Sequence, residues 1–297
     1  MQSKHFFIEI KNRQNGFSIQ TGSLESVNQF YYKKKYFKEN EGNFTSFYAE
    51  FQKTYSDCVA ENKADILVYI HGLWSDRHSY FSKNLYQSEM HYIQNPESPI
   101  ALTLTIIWHT PHLSYLYCRK KCATIAQYFA PYFWESVLQI KDSINKTPFN
   151  GKLHLLCHSM GNHFFETLLS ATPSVNEPIF QELVMAAADV DADFFDTHYE
   201  TITDLSQRIL VLNNEKDRLL SFSKWLNRVK RLGNTPPQYL NEKYATVFAT
   251  ETSSVRDVRS LISFLNQHAH YQASASVMQY LNAVYKGKPF ISHITKY

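Results

Sequence analysis

Six short apolar runs punctuate the chain: DILVYI (65–70), ALTLTIIW (101–108), LHLLC (153–157), LVMAA (183–187), RILVL (208–212) and YATVFAT (244–250). The intervals between them are long enough for helices. Two intervals, IAQYFAPYFWESVLQI (125–140) and FSKWLNRVKRL (222–232), carry apolar residues at helical spacing. Strands that are apolar throughout and alternate with helices form a mostly parallel central sheet with helices on both faces. The expected fold class is therefore α/β. Pro131 is expected to start or kink the first of these helices.

The region before this rhythm reads differently. HFFIEIKNRQNGFSIQ (5–20) predicts two short strands around a turn containing Asn15-Gly16. FTSFYAEFQKTYSDCV (44–59) has helical apolar spacing. Lys33-Lys34-Lys35, followed by Glu39 and Glu41, reads as a solvated loop. The length of 297 residues suits one domain over 1–297, with N-terminal strands and a loop in 1–43 and the main core in 44–297.

Ligands of parallel sheets sit beyond the carboxyl ends of the strands, so the residues that follow each run matter most. DILVYI is followed by His71-Gly72-Leu73-Trp74, and LHLLC by His158-Ser159-Met160-Gly161-Asn162. LVMAA leads to Ala188-Asp189-Val190-Asp191, and RILVL to Asn213-Asn214-Glu215-Lys216-Asp217. After the last run the chain reaches Gln267-His268-Ala269-His270-Tyr271. Ser, then Asp, then His, all beyond strand ends, is the chain order of a catalytic triad on an α/β-hydrolase fold.

A serine nucleophile on that fold occupies a strained strand-to-helix turn, which crowds the residues two before and two after it. Gly161 meets the second demand. Cys157 stands where a glycine is usual, and it is still small. The N–H of Met160 is one expected oxyanion donor, contributed by the residue after the nucleophile. The His71-Gly72 turn offers a second, from Leu73 or Trp74. His71 itself is expected to shape that turn by local hydrogen bonding. The other role open to Ser159 is that of a helix N-cap.

ILVYIHGLWSD (66–76), KLHLLCHSMGNHFFETLL (152–169), LVMAAADVDADFF (183–195) and ILVLNNEKDRLLSFSKWL (209–226) together resemble an uncharacterised, mostly bacterial family of the α/β-hydrolase superfamily. That family is described as esterase- or lipase-like, and the resemblance spans roughly residues 60 to 285. It implies Ser159 as nucleophile and Asp217 as acid. The chain departs from the family pattern at Cys157, where Ala is usual, at Ala188, where Pro is common, and at Cys118, near a position that tends to be acidic. The family's histidine is followed by aromatics within three residues and by Val about nine residues on. Tyr271 and Val277 fit that register from His268 and not from His270, so the resemblance implies His268 as base.

On the residues alone, two alternatives stay open: Asp189 as acid and His270 as base. Asp217 has a further possible role as the cap of a helix starting near Leu219. Asp189, Asp191 and Asp193 with Glu200 imitate the spacing of a calcium loop, but Phe194 stands where that loop needs glycine and no helix enters it. Helix capping and loop bracing are the expected roles of these carboxylates.

The implied chemistry is hydrolysis of an ester-type substrate, a carboxylic ester or thioester, through an acyl-enzyme on Ser159, with no metal or organic cofactor. The expected partner is a small-molecule acyl ester. Pocket residues are expected in the loops SDRHSYFSKNLYQ (75–87) and HTPHLSYLYCRKK (109–121). Both are aromatic and carry Lys and Arg, which suits an apolar acyl group with an anionic neighbour. A non-catalytic relative that binds a ligand or partner is the alternative of a different class.

A net charge of +3, from 30 basic and 27 acidic residues, does not point to nucleic acid. The N-terminus lacks the apolar core of a signal peptide, and no apolar stretch reaches the ~18 residues of a membrane span. Four unpatterned cysteines, of which Cys118 and Cys122 share a helical face, suit a reducing compartment. The expected location is cytoplasmic.

Overall fold

A computed structural model of the chain describes residues 4–38, 44–73, 78–109, 114–235, 246–252 and 268–294. Among the described residues nine strands form one sheet. They are β1 (His5–Arg13), β2 (Gly16–Val27), β3 (Tyr32–Tyr36), β4 (Asp65–Ile70), β5 (Ile100–Trp108), β6 (Leu153–His158), β7 (Phe180–Ala186), β8 (Ser206–Asn213) and β9 (Val247–Glu251). Their order is β3-β2-β1-β5-β4-β6-β7-β8-β9. Every pairing from β1–β5 onward to β8–β9 is parallel, and only the β1–β2 and β2–β3 pairings are antiparallel. The α/β expectation holds, and the N-terminal strands continue the same sheet.

Strict alternation builds the two faces of the sheet. Ile66, Val68, Ile70, Leu155, Cys157, Leu183, Met185, Ile209 and Val211 point into one core. That core is filled by helices α1 (Thr45–Cys58), α3 (Tyr115–Asn145), α4 (Met160–Leu168) and α5 (Phe194–Leu205). Leu67, Tyr69, Leu156, Val184, Ala186, Leu210 and Leu212 point the other way, against Tyr271 of α7 (His270–Ala273) and Val277, Met278 and Leu281 of α8 (Ala275–Tyr285). Helix α2 (His78–Ser88) covers the N-terminal strands, where Phe81 and Leu85 meet Phe7, Leu24 and Ile107. Helix α6 (Arg218–Asn227) follows β8.

Four expectations change. The lysine run is an edge strand, β3, and not a loop. Lys34 donates to Glu9 at 2.6 Å while Lys33 faces out to Glu25 at 2.7 Å. Charge on an edge strand blocks further pairing, which reconciles a basic run with β structure. Helix α3 starts ten residues before the predicted 125 and runs unbroken through the exposed Pro131. Its buried side chains on both sides of the proline, from Cys118 to Ile144, hold it to the sheet and offset the lost hydrogen bond. Helix α6 begins at Arg218 and stops at Asn227, because Arg228 adopts a left-handed conformation with φ 58°. The expected pocket loop 75–87 is helical from His78, and 109–121 is helical from Tyr115. Residues 75–77 and 110–113 of those stretches lie outside the described residues, as do Tyr244 and Ala245 of the last run and Trp74.

Candidate active site

The sheet reverses its order of growth at β4, with β5 on one side and β6 on the other. Ile70 of β4 pairs with Cys157 of β6, so the two chains leave the sheet side by side. His71-Gly72 therefore runs beside His158-Ser159. A Cβ on Gly72 would lie 2.7 Å from the Cβ of Ser159, and a Cβ on Gly161 would lie 2.5 Å from the carbonyl oxygen of Ile70. Only hydrogen fits at either place.

Ser159 has φ 55° and ψ −126°, a strained conformation for a residue with a side chain. Several hydrogen bonds hold it. Its N–H donates to Ala186 O at 3.0 Å, and its carbonyl accepts from the N–H of Asn162 at 3.0 Å and of Asp189 at 3.2 Å. The Asn162 side chain adds donations to Cys157 O and Ser159 O, both at 3.1 Å. Cys157 is fully buried in the helix-side core, where burial pushes its thiol well up. The position tolerates a small side chain that points away from the turn.

Ser159 Oγ donates to His268 Nε2 at 2.6 Å, and His268 Nδ1 donates to Asp217 Oδ2 at 2.7 Å. Asp217 is wholly buried and also caps α6, its Oδ1 accepting from the N–H of Leu220 at 2.9 Å. Burial opposes charge on His268, but the charge and hydrogen bond of Asp217, with Asp189 farther off, hold its pKa above the ordinary histidine value. His270, the first residue of α7, is buried, and neither of these two hydrogen bonds involves it.

Asp189 serves a different network. Its carboxylate accepts from Tyr115 Oη and from Ser223 Oγ, each at 2.5 Å, and lies 3.4 Å from Arg231 Nε. Arg119 donates to its carbonyl at 2.7 Å. Arg231 also pairs with Asp191. These contacts pin the loop after β7 to α3 and α6, as bracing carboxylates should. Among the described residues no cluster of three or more His, Cys, Asp or Glu is placed to hold a metal ion.

Two histidines fix the turns around the serine. Trp108 N–H donates to His71 Nε2 at 3.2 Å, so the ring proton sits on Nδ1 and donates to Gly72 O at 2.7 Å. The indole N–H of Trp108 donates back to His71 O at 3.0 Å. His158 Nε2 donates to His268 O at 3.2 Å, and its ring lies 4.9 Å from that of His268 and 4.5 Å from that of Tyr271. Burial holds His158 well below the usual histidine pKa and therefore neutral. The part played by Asn162, Tyr115 and Arg231 was not read from sequence. The one available signal for Asn162 was a polar side chain in the first turn of α4, three residues after the serine. Tyr115 and Arg231 become partners only in three dimensions.

A family model described as an alpha/beta hydrolase of unknown function (DUF900) matches residues 48–284. The chain belongs to that family. No curated protein matches its sequence. Among solved structures it is similar to the monoclinic form of an esterase from Pyrobaculum calidifontis, at 9% identity and a TM-score of 0.40, over 95% of this chain and 84% of that one. It is also similar to carboxyl esterase 2 from the mycorrhizal fungus Tuber melanosporum, at 11% identity and a TM-score of 0.42, over 97% of this chain and 91% of that one.

Proposed function

We propose that this member of the alpha/beta hydrolase family is a serine hydrolase that cleaves a carboxylic ester or thioester through an acyl-enzyme on Ser159. The observation that carries the reading is the continuous relay from Ser159 Oγ through His268 to Asp217, with both hydrogen bonds at 2.7 Å or less. His268 takes the hydroxyl proton as Ser159 attacks the carbonyl carbon. Asp217 keeps the histidine proton on Nδ1, so that Nε2 is free to accept, and stabilises the imidazolium that forms.

The tetrahedral oxyanion is assigned to the N–H groups of Met160 and Leu73. Met160 opens α4, so its N–H has no carbonyl within the helix, and the positive end of the helix dipole lies beside it. Leu73 follows the glycine that touches Ser159. The imidazolium then protonates the leaving alcohol or thiol. Water, deprotonated by the same histidine, attacks the acyl-enzyme and releases the acid. None of these steps calls on a metal or organic cofactor.

A ligand-binding relative without catalysis would have no need for a strained serine hydrogen-bonded to a carboxylate-held histidine. The test is hydrolysis of a p-nitrophenyl ester series of increasing chain length by the wild type and Ser159→Ala. The reading requires turnover that the substitution removes. Equal turnover in both proteins would refute it.

A further inference from the structure

Large apolar side chains are exposed on two adjoining elements just outside the candidate site. On α6, Trp225 is 72% exposed and Phe222 48%, and their rings stack 6.0 Å apart. At the start of α3, Leu116 is 50% exposed and Tyr117 48%. Tyr115 joins the two elements. Its ring lies 6.5 Å from that of Phe222, and its hydroxyl is 2.7 Å from Ser223 Oγ. Phe222 and Trp225 share one exposed face of α6, and Leu116 and Tyr117 are exposed on the adjoining first turn of α3; large apolar groups gathered this way mark surfaces that meet something apolar.

The charge on this patch is mostly basic. Residues 218–230 contain Arg218, Lys224, Arg228 and Lys230, all exposed, and no acid. Residues 114–134 contain no acid either, and Lys120 is exposed there. The carboxylates that adjoin it are Asp189, buried against Tyr115 and Ser223, Asp217 at the cap of α6, the exposed Glu215 just before it, and Asp191, which Arg231 holds. Trp, Phe and Tyr beside Lys and Arg is the chemistry of a surface that inserts rings at the headgroup level and meets anionic headgroups with cations.

The patch also lies at the site's end of the sheet. Helix α6 starts at Asp217, the carboxylate on His268, and Trp225 is eight residues along it, or about 12 Å at the helical rise. Tyr115 and Ser223 both hold Asp189, whose N–H donates to Ser159 O.

We propose that the aromatic and cationic face formed by the start of α3 and by α6 docks the protein on a membrane surface containing anionic lipids. Docked this way, the open end of the sheet stands at the lipid interface. On the serine-hydrolase reading, the substrate class is then an acyl ester that partitions into that interface.

Co-sedimentation of the full chain with vesicles tests this. One set is phosphatidylcholine alone, and the other is a mixture of phosphatidylcholine and phosphatidylglycerol. The wild type should bind the mixed vesicles, with a blue shift of tryptophan emission, and bind less as salt rises. Trp225→Ala should weaken binding about tenfold through lost apolar burial. The pair Lys224→Glu and Arg228→Glu should weaken it about a hundredfold. Wild type left in solution with the mixed vesicles would overturn the proposal, as would variants that bind as tightly as wild type. A self-association that Trp225→Ala abolishes, without vesicle binding, would assign the patch to a second copy of the chain instead. Hydrolysis of a water-soluble p-nitrophenyl acetate, measured on the same samples, reads the serine separately. Turnover without vesicle binding refutes only the docking, and binding without turnover refutes only the hydrolase reading.

Discussion

Asp217 holds His268 with one carboxylate oxygen and the first turn of α6 with the other. One side chain therefore orients the proposed base and starts a helix, and substitutions can separate the two tasks. Asn caps a helix about as well as Asp, so at alkaline pH, where His268 is neutral, Asp217→Asn should leave the melting temperature nearly unchanged. Its amide donates where a carboxylate oxygen accepted, which turns His268 to the wrong tautomer and should lower kcat by about 10³–10⁴-fold. Asp217→Ala should lose both activity and about 1 kcal/mol of stability. Thermal melts beside ester kinetics check the pair.

The pH profile of kcat/KM should report His268. A general base works only when neutral, and Asp217 raises the histidine's pKa above its usual value. The acidic limb should therefore be half-maximal above pH 6.5, and activity should fall as pH drops through it. For stability the sign is reversed. The Asp217 partnership favours the folded state fully below the unfolded histidine pKa, and that contribution is lost as pH rises through the folded one.

Crowding at the serine turn is uneven, and two substitutions expose it. A methyl group on Gly161 would meet the backbone oxygens of Ile70 and His71 at 2.5 and 2.6 Å, which cannot move without disturbing β4. Gly161→Ala should cost about 3 kcal/mol or prevent folding. Cys157→Ala removes only a buried sulfur and should cost about 1 kcal/mol with esterase activity retained. Denaturant unfolding of the two variants measures the contrast.

At the opposite end of the sheet, Glu182 of β7 is wholly buried beside Arg208, 3.2 Å away. Burial outweighs that partner and pushes its pKa up to about 8. The unfolded chain ionises this group near pH 4.5 and the folded chain does not, so the folded state loses stability as pH rises through that interval. Glu182→Gln should abolish a loss of about 3 kcal/mol between pH 4.5 and 7. Unfolding curves at several pH values, compared with wild type, check the sign.

The fold was legible because the central strands are buried on both faces, which leaves runs such as DILVYI without polar interruption. The edge was not. Lys34 enters a buried ion pair from a strand whose sequence reads as solvent-exposed charge. The helical face shared by Cys118 and Cys122 belongs to α3, but the Arg119-Lys120-Lys121 run beside it reads as a solvated loop, which hides the first ten residues of the helix. At the site, the order of Ser, Asp and His along the chain left Asp189 and His270 open, and the family resemblance singled out Asp217 and His268, which lie within hydrogen-bond reach of one another, His268 also reaching Ser159. Asp189 and Asp217 both follow apolar strands, and their separate partners arise from the placement of α3 and α6, which local sequence does not encode. The Trp108–His71 and His158–His268 contacts are long-range in the same way.

A fluorophosphonate probe, which reacts only with an activated serine, tests the central claim most directly. Intact mass and peptide mapping of the labelled protein should show one adduct, on Ser159. Labelling should vanish in Ser159→Ala and His268→Ala and persist in His270→Ala. An unlabelled wild type, or an adduct that survives Ser159→Ala, would contradict the account.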